Sequence, residues 1–424
     1  MQRVFSFLSL AFCLGLTCSL ENERESSMAS AVVHGSNDFA LRILQSLSKS
    51  SASNVFFSPL SMSMALGLVY LGSRGTTAIQ IANIFGWKES EFEETHRTFK
   101  QFHEALLTSD LGYGEIQLVN KIWGHDEFEI LEEFLHGTRE FYHSEMAQVD
   151  FVNKAFDARK EVNAWVHQQT KGNIKELIPH GVINSLTKLI IVNAVYFKGV
   201  WKKEFGEENT FHAAFFVPES HESKIEVEMM TGKMKVNYYY DADIKCRVVE
   251  LPYSGDDTAM VIILPEEHSG IFSLEKSIDV EIMEKWRRLM INTTVEVSIP
   301  KFRLSQKLEL RSLLQDLGVS DIFDSRKADL SGISAAKGLY VSSAIHKAHI
   351  EVNERGTVAA ATTGVVMAKR SLDMNEVFYA DHPFLFSIHH KPSNAILFLG
   401  KVMQPTRVGE KVSPHSDKPL SDEL

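Results

Sequence analysis

Cysteine, positive charge and long apolar runs are all scarce in this chain, and each shortage excludes something. Of 3 cysteines, Cys13 and Cys18 lie in an opening segment that runs Met1-Gln2-Arg3, then apolar from Val4 to Leu16, then Thr17-Cys18-Ser19. A basic start, a short hydrophobic run and small residues at the boundary describe a secretory signal peptide, here 1–19. With that segment removed, Cys246 stands alone, so no internal disulfide forms and stability has to come from packing. Cys246 itself reads as a structural thiol on a strand, or as a more acidic thiol if its neighbours Lys245 and Arg247 face it in solvent. A net charge of −11 argues against a general binder of nucleic acid or anionic membrane. No later stretch approaches the roughly 20 apolar residues of a membrane span, so no membrane insertion is expected.

Catalytic signatures are missing too. There is no Gly-x-Ser-x-Gly elbow, no phosphate-cradling glycine loop, and no Cys or His pair at zinc spacing. His389 and His390 are neighbours on an expected strand and so point to opposite faces. The expectation is no enzyme, no catalytic residue, no cofactor and no metal.

What is present is enough apolar material, 44% of residues against 23% charged, to bury a substantial core. No repeat or composition break divides 30–405. Ser36-Asn37-Asp38 opens a helix carrying Phe39, Ile43, Leu44 and Leu47. Asn54 to Phe57 is a short strand running into a helix with Ser58 as N-cap and Pro59 first, ended by Gly72. Phe92 to Leu107 is a helix of mixed charge, and Phe156 to Thr170 another, with Val162, Trp165 and Val166 on one face. Leu189 to Phe197 is a continuous β-prone run, as expected of a strand covered on both faces, and Asn193 within it must find a hydrogen-bond partner. Trp201 reads equally as core packing or as a special placement. Glu250 to Tyr253 and Met260 to Pro265 frame a hairpin, and Leu310, Leu313, Leu314 and Leu317 mark a helix ended by Gly318. A strand from Ala395 to Val402 closes the chain. Asn292-Thr293-Thr294 is its only glycosylation sequon.

The organising stretch is Glu354-Arg355-Gly356-Thr357-Val358-Ala359-Ala360-Ala361-Thr362-Thr363-Gly364, continuing to Met367, Ala368 and Lys369-Arg370-Ser371. From Thr357 to Ala368 it has no charge and no proline, so every backbone donor needed for a sheet ladder is kept. A small-residue linker is the plain reading. Against it, Val358, Val365, Val366 and Met367 suit solvent poorly, and in strand form Thr357, Ala359, Ala361 and Thr363 share one small-residue face. The dibasic pair then offers a bond that a basic-specific serine protease would cut.

This stretch resembles the hinge and reactive-centre loop of the serpins, the suicide inhibitors of serine proteases. The motifs around Ser58, Asn193, Trp201, His346 and Asp381-His382-Pro383-Phe384 occur in serpin order over essentially the whole of 30–405. The resemblance implies an α+β serpin fold: a large mixed β-sheet A, two smaller sheets, eight to nine helices and an exposed reactive loop over about 354–375. It implies a hinge of Glu354, Gly356, Thr357, Val358, Ala359, Ala360, Ala361 and Thr362. Fifteen residues counted from Gly356 end on Arg370, so the reactive bond is Arg370-Ser371, with Lys369 and Met367 as specificity determinants. Ser58, Ser61, Asn193 and His346 are implied to form a network that holds the sheet closed; as a plain core histidine, His346 would make the same bonds without gating anything.

The implied partner is a serine protease held in a covalent acyl-enzyme complex. Lys369-Arg370 fits a Lys-Arg-specific proprotein convertase of the furin/kexin type. Met367 stands where furin favours Arg, which leaves convertases that accept Lys-Arg alone equally open. Arg370 by itself would suffice for a trypsin-like protease, and a non-inhibitory chaperone of the endoplasmic reticulum is the reading from a different class. A monomer is expected, and no strong heparin site on the mixed-charge helix from Phe92. The tail 406–424 ends in Ser421-Asp422-Glu423-Leu424, similar to the Lys/His-Asp-Glu-Leu signal bound by a retrieval receptor. That places the protein in the secretory pathway, retrieved to the endoplasmic reticulum with an efficiency that Ser421 leaves open.

Overall fold

A computed structural model describes residues 29–48, 53–112, 114–218, 223–357 and 376–408. In chain order the described elements are α1 (29–48), β1 (Val55–Phe57), α2 (Pro59–Gly72), α3 (Gly75–Phe85), α4 (Phe92–Thr108), β2 (Glu115–His125), α5 (Glu132–Tyr142), β3 (Met146–Val149), α6 (Ala155–Gln169) and β4 (Leu189–Val200). They continue with β5 (Thr210–Phe216), β6 (Lys224–Asp241), β7 (Cys246–Pro252), β8 (Thr258–Pro265), α7 (Ile271–Ser277), α8 (Val280–Leu289), β9 (Ile291–Pro300), β10 (Phe302–Glu309), α9 (Leu310–Asp316), β11 (Val341–Asn353), β12 (Gly356–Thr357), β13 (Glu376–Tyr379), β14 (Phe384–His390) and β15 (Ala395–Val402).

Local chemistry explains most of these boundaries. Ser58 accepts a hydrogen bond from Ser61 N–H at 3.3 Å and Pro59 fills the first turn, so α2 starts where the sequence places it. The hairpin strands β7 and β8 begin four and two residues earlier than expected, and the helix start that differs most is that of α1, whose described residues are already helical from 29. Ser36 and Asn37 do not cap it, because tertiary contacts use their side chains. Ser36 Oγ lies 2.9 Å from Ser63 Oγ, while Asn37 donates to Asn394 O at 2.9 Å and accepts from Ile396 N–H.

The strands form a mixed six-stranded sheet, ordered β10-β11-β12-β4-β2-β3, and a nine-stranded one, ordered β1-β15-β14-β8-β7-β6-β9-β13 with β5 also on β6. The six-stranded sheet is the sheet A of the expectation. The two smaller sheets run into one another through the 18-residue β6, which pairs with β5 at its start, β7 at its end and β9 between them.

β4 lies at the centre of the six-stranded sheet, and its first nine residues are buried. Side chains alternate along a strand, so Ile190, Val192 and Ala194 join Val162 and Val166 of α6 in one apolar cluster, whereas Leu189, Ile191, Val195 and Phe197 join the main core with α2. Each such fully buried side chain contributes about 1.5–3 kcal/mol. The same alternation delivers Asn193 to the α2 face.

Cys246 opens β7 and is fully buried, and burial pushes its thiol pKa up to about 12. The flanking-cation reading therefore gives way to the structural one. Cys246 should stay unlabelled by a thiol reagent at pH 8 in the folded protein and react stoichiometrically once denaturant is added; fast labelling of the native state would contradict this burial.

Candidate functional site: the seam between β4 and β11

β4 and β11 are parallel neighbours, with Leu189 opposite Val341 and, past a bulge at Ser342, an unbroken register from Ile190 opposite Ser343 to Tyr196 opposite His349. Beyond that point the chain turns at Glu354-Arg355 and comes back as β12 inside the seam. Gly356 and Thr357 pair antiparallel with Val200 and Gly199 of β4 on one side, and with Asn353 and Val352 of β11 on the other. The organising stretch has thus already begun a strand between two strands that are otherwise bonded to each other.

Several contacts pin this turn. Glu354 is buried; its carboxylate accepts from Thr210 Oγ1 at 2.7 Å and pairs with Lys301 at 3.3 Å, which also reaches Glu228 at 3.4 Å. Burial alone would raise the Glu354 pKa, but the Thr210 hydrogen bond and Lys301 outweigh it and hold the carboxyl below its ordinary value. The carbonyls of Glu354 and Arg355 accept from Phe205 N–H and Trp201 N–H, both at 2.9 Å. Trp201 also donates Nε1–H to Asn353 O at 3.0 Å and stacks on Tyr253, with ring centres 4.6 Å apart. The Tyr253 hydroxyl meets the Thr357 hydroxyl at 3.1 Å. Trp201 is therefore both core and gatepost.

Gly356 is sterically required. Its φ is +138°, and a Cβ there would sit 2.1 Å from Gly199 O and 2.8 Å from Val200 Cα.

Midway down the seam lies the second cluster. His346 and Asn193 face each other in register across β11 and β4, and Asn193 faces Asn120 across β4 and β2. Ser58 N–H donates to His346 Nε2 at 3.1 Å, so the ring proton sits on Nδ1, which donates to Asn193 Oδ1. Asn193 Nδ2 donates to Ser61 O at 2.9 Å, and also contacts Ser61 Oγ and Asn120 Oδ1. All four expected members meet. Sequence reasoning missed Asn120, although an amide inside the apolar run Leu118-Val119-Asn120-Lys121-Ile122 is the same anomaly that flagged Asn193. The cluster is neutral, since burial pushes the His346 pKa down to about 3.

Asn292 lies on β9, exposed, with Nδ2 donating to Asn237 Oδ1 at 3.0 Å. Val358, Ala359, Ala360, Ala361, Thr362, Met367, Lys369, Arg370 and Ser371 lie outside the described residues, as do residues 1–19 and Ser421, Asp422, Glu423 and Leu424.

A family model described as "Serpin (serine protease inhibitor)" matches residues 34–405. The chain is 41% identical over 374 residues to leukocyte elastase inhibitor A of Rattus norvegicus, covering 87% of this chain and 97% of that protein. It is 43% identical over 376 residues to the leukocyte elastase inhibitor of Bos taurus, again covering 87% and 97%. Among solved structures, uncleaved ovalbumin superposes with a TM-score of 0.79 at 29% identity, covering 88% of this chain and 100% of that one.

Two outcomes follow from the seam. Gly356→Ala should cost about 1–3 kcal/mol of backbone strain and loosen β12, seen as faster hydrogen exchange at Thr357; unchanged exchange would show that the clash is relieved elsewhere. The second concerns pH. A histidine held neutral in the fold contributes stability that is full above its ordinary pKa of 6.5 and is lost as pH falls towards about 3. His96, at about 3, and His349 and His389, at about 4, act in the same direction. Stability measured by denaturant should therefore fall from pH 6.5 to 4.5. His346→Leu should lower stability at pH 7.5 by about 1–3 kcal/mol for each buried group left unpaired and make the pH slope shallower. An equal slope in both proteins would remove His346 from the acid response.

Proposed function

The chain belongs to the serpin family of serine protease inhibitors, and from that premise we propose that it traps a Lys-Arg-specific protease of the secretory pathway, a proprotein convertase, as an acyl-enzyme at Arg370. The observation that carries the reading is β12, seated between β4 and β11 with the uncharged, proline-free run Val358 to Ala368 directly behind it.

The geometry supplies a driving force. Cleavage after Arg370 would leave the protease esterified to a chain end continuous with β12, free to extend down the seam. Extension exchanges one parallel ladder, β4 to β11, for two antiparallel ones. The net gain is one ladder, about 0.5–1.5 kcal/mol per hydrogen bond, and antiparallel pairing is slightly the more stable. It also parts His346 from Asn193, so that cluster acts as the latch. The uncleaved form then persists kinetically rather than as the most stable arrangement. Small residues at Ala359, Ala361 and Thr363 support passage under the helices that cover the sheet. A hinge so composed favours inhibition over the non-inhibitory chaperone reading.

Specificity rests on the reactive residues. The relatives named as elastase inhibitors share the body of the chain, but Arg370 needs an acidic primary pocket, which the small pocket of an elastase does not offer. Lys369 adds a second acidic subsite. A trypsin-like protease uses Arg370 alone and is the second reading. Residues 1–19 and Ser421-Asp422-Glu423-Leu424 support residence where convertases process their precursors, with a retrieval receptor as the further partner.

Incubation with a Lys-Arg-specific convertase and, separately, with trypsin should give a denaturant-resistant adduct with the convertase and a released peptide beginning at Ser371 by mass spectrometry. An adduct with trypsin alone would move the target to trypsin-like proteases. Cleavage without any adduct would sink the inhibitory reading. Thr357→Arg, which would place a charge at a fully buried position, should be cleaved at the same bond with the adduct yield reduced at least about tenfold.

A further inference from the structure

Outside the seam, three side chains converge just past the ends of β8 and β13. His382 is 4% exposed, and its Nε2 donates to Pro265 O at 2.8 Å. That bond fixes the tautomer, leaving the Nδ1 lone pair aimed at Asp381 Oδ1, 2.8 Å away. Two lone pairs do not rest at that distance unless something positive lies between them, either a second proton on His382 or a cation. His268 distinguishes the two. Its Nε2 is 4.0 Å from the same Asp381 oxygen and its ring centre 4.9 Å from that of His382, so donor atoms of all three residues lie within 4.8 Å of one another. A shared proton needs two groups, whereas a divalent ion uses three.

We propose that His268, Asp381 and His382 bind a divalent transition metal of the Zn2+ class. Four-coordinate zinc takes imidazole nitrogen and carboxylate oxygen at about 2.0–2.2 Å, which sets neighbouring donors about 3.3 Å apart. The 2.8 and 4.0 Å separations bracket that value, and rotation of the half-exposed His268 ring closes the difference. Two imidazoles select against Mg2+ and Ca2+, which prefer oxygen throughout. The Pro265 carbonyl plays the usual outer role, orienting a ligand imidazole through its other nitrogen.

The surroundings are built rather than incidental. Phe216 N–H donates to Asp381 O at 2.7 Å, Ala380 N–H to Ser298 O at 2.9 Å, and the turn bearing His268 closes through Gly270 N–H to Glu267 O at 2.8 Å. The Phe216 ring stacks on His268 with centres 3.9 Å apart and has Lys224 4.4 Å from its own centre. A metal here would staple the end of β8 and the end of β5 to the residues just past β13. Since β13 is a four-residue strand that pairs with β9 alone among the described residues, the ion would reinforce the anchor on the C-terminal side of the reactive stretch. Sequence spacing hid this triad, because His268 is more than a hundred residues from its partners.

The test uses chelator-treated full-length protein titrated with Zn2+ by calorimetry, with Co2+ absorption as the geometric probe and thermal unfolding as the stability readout. Expected are saturable binding of a single Zn2+, a visible Co2+ spectrum of a four-coordinate site, and a rise in Tm with Zn2+. His268→Ala, at a half-exposed ring, and Asp381→Asn should each weaken binding about tenfold or more and remove the Tm rise. No saturable binding by the wild type would overturn the proposal and leave a protonated His382–Asp381 pair. Wild-type affinity in a folded His268→Ala protein would overturn it as well, placing the ion elsewhere.

Discussion

Everything distinctive about this molecule depends on two parallel strands that are bonded to each other but need not be. β4 and β11 are the centre of the six-stranded sheet, and parallel neighbours normally derive from a covered crossover that fixes them in place. Here the segment that follows β11 doubles back into the same seam as β12, with Gly356 and Thr357 each paired to both strands. A sheet in that condition has two ladder arrangements open to it, and the one with the extra strand satisfies more backbone groups. The rest of the structure decides which arrangement is reached and when.

Two polar clusters fasten the seam at different points. At the mouth, Glu354, Thr210 and Lys301 fasten the turn, while Trp201 and Tyr253 clamp Asn353 and Thr357. Midway, His346, Asn193, Ser61 and Ser58 tie the seam to the first turn of α2. These bonds are strong because they lie in a dry interior, where an unpaired amide or imidazole costs far more than in water. The bond across the seam is also short in reach: parting β11 from β4 by the width of one strand breaks the His346–Asn193 contact. On the proposed reading a barrier of that kind would keep a less stable arrangement in place without making it stable.

Much of this was legible in the sequence where the signal is local. Ser58-Pro59 announces the start of α2 because an N-cap and a first-turn proline act within three residues, and the Leu189 to Phe197 run announces a strand covered twice. Gly356 was legible as a glycine that matters, though the reason, the Gly199 carbonyl lying where its Cβ would be, belongs to a strand far back in the chain. What stayed hidden depends on register. Asn120 matters only because β2 sets it opposite Asn193, and Lys301 only because the turn after β9 brings it to Glu354. Ser36 and Asn37 misled for the converse reason: residues suited to capping were engaged elsewhere, so α1 starts earlier than their chemistry suggests. The joining of the two smaller sheets escaped notice because β6, with Gly232 and alternating Lys233, Met234, Lys235 and Val236, carries no apolar run to announce its length.

The seam also explains why composition in the stretch after β12 is constrained more tightly than in an ordinary loop. On the proposed reading each residue from Val358 onward would take up a position between β4 and β11, beneath α6 on one face and α2 on the other, the cover that already buries Ile190, Val192 and Ala194 on one side and Leu189, Ile191 and Val195 on the other. A charge there would be desolvated with no partner, and a proline would remove a ladder donor and leave a carbonyl unpaired. On the proposed reading the constraint changes sign beyond Ala368, because the charges of Lys369 and Arg370 would serve recognition by the protease before any strand is added. On that reading the abrupt change from uncharged small residues to a dibasic pair answers two physical requirements in sequence order, burial first and recognition second, on one continuous piece of backbone.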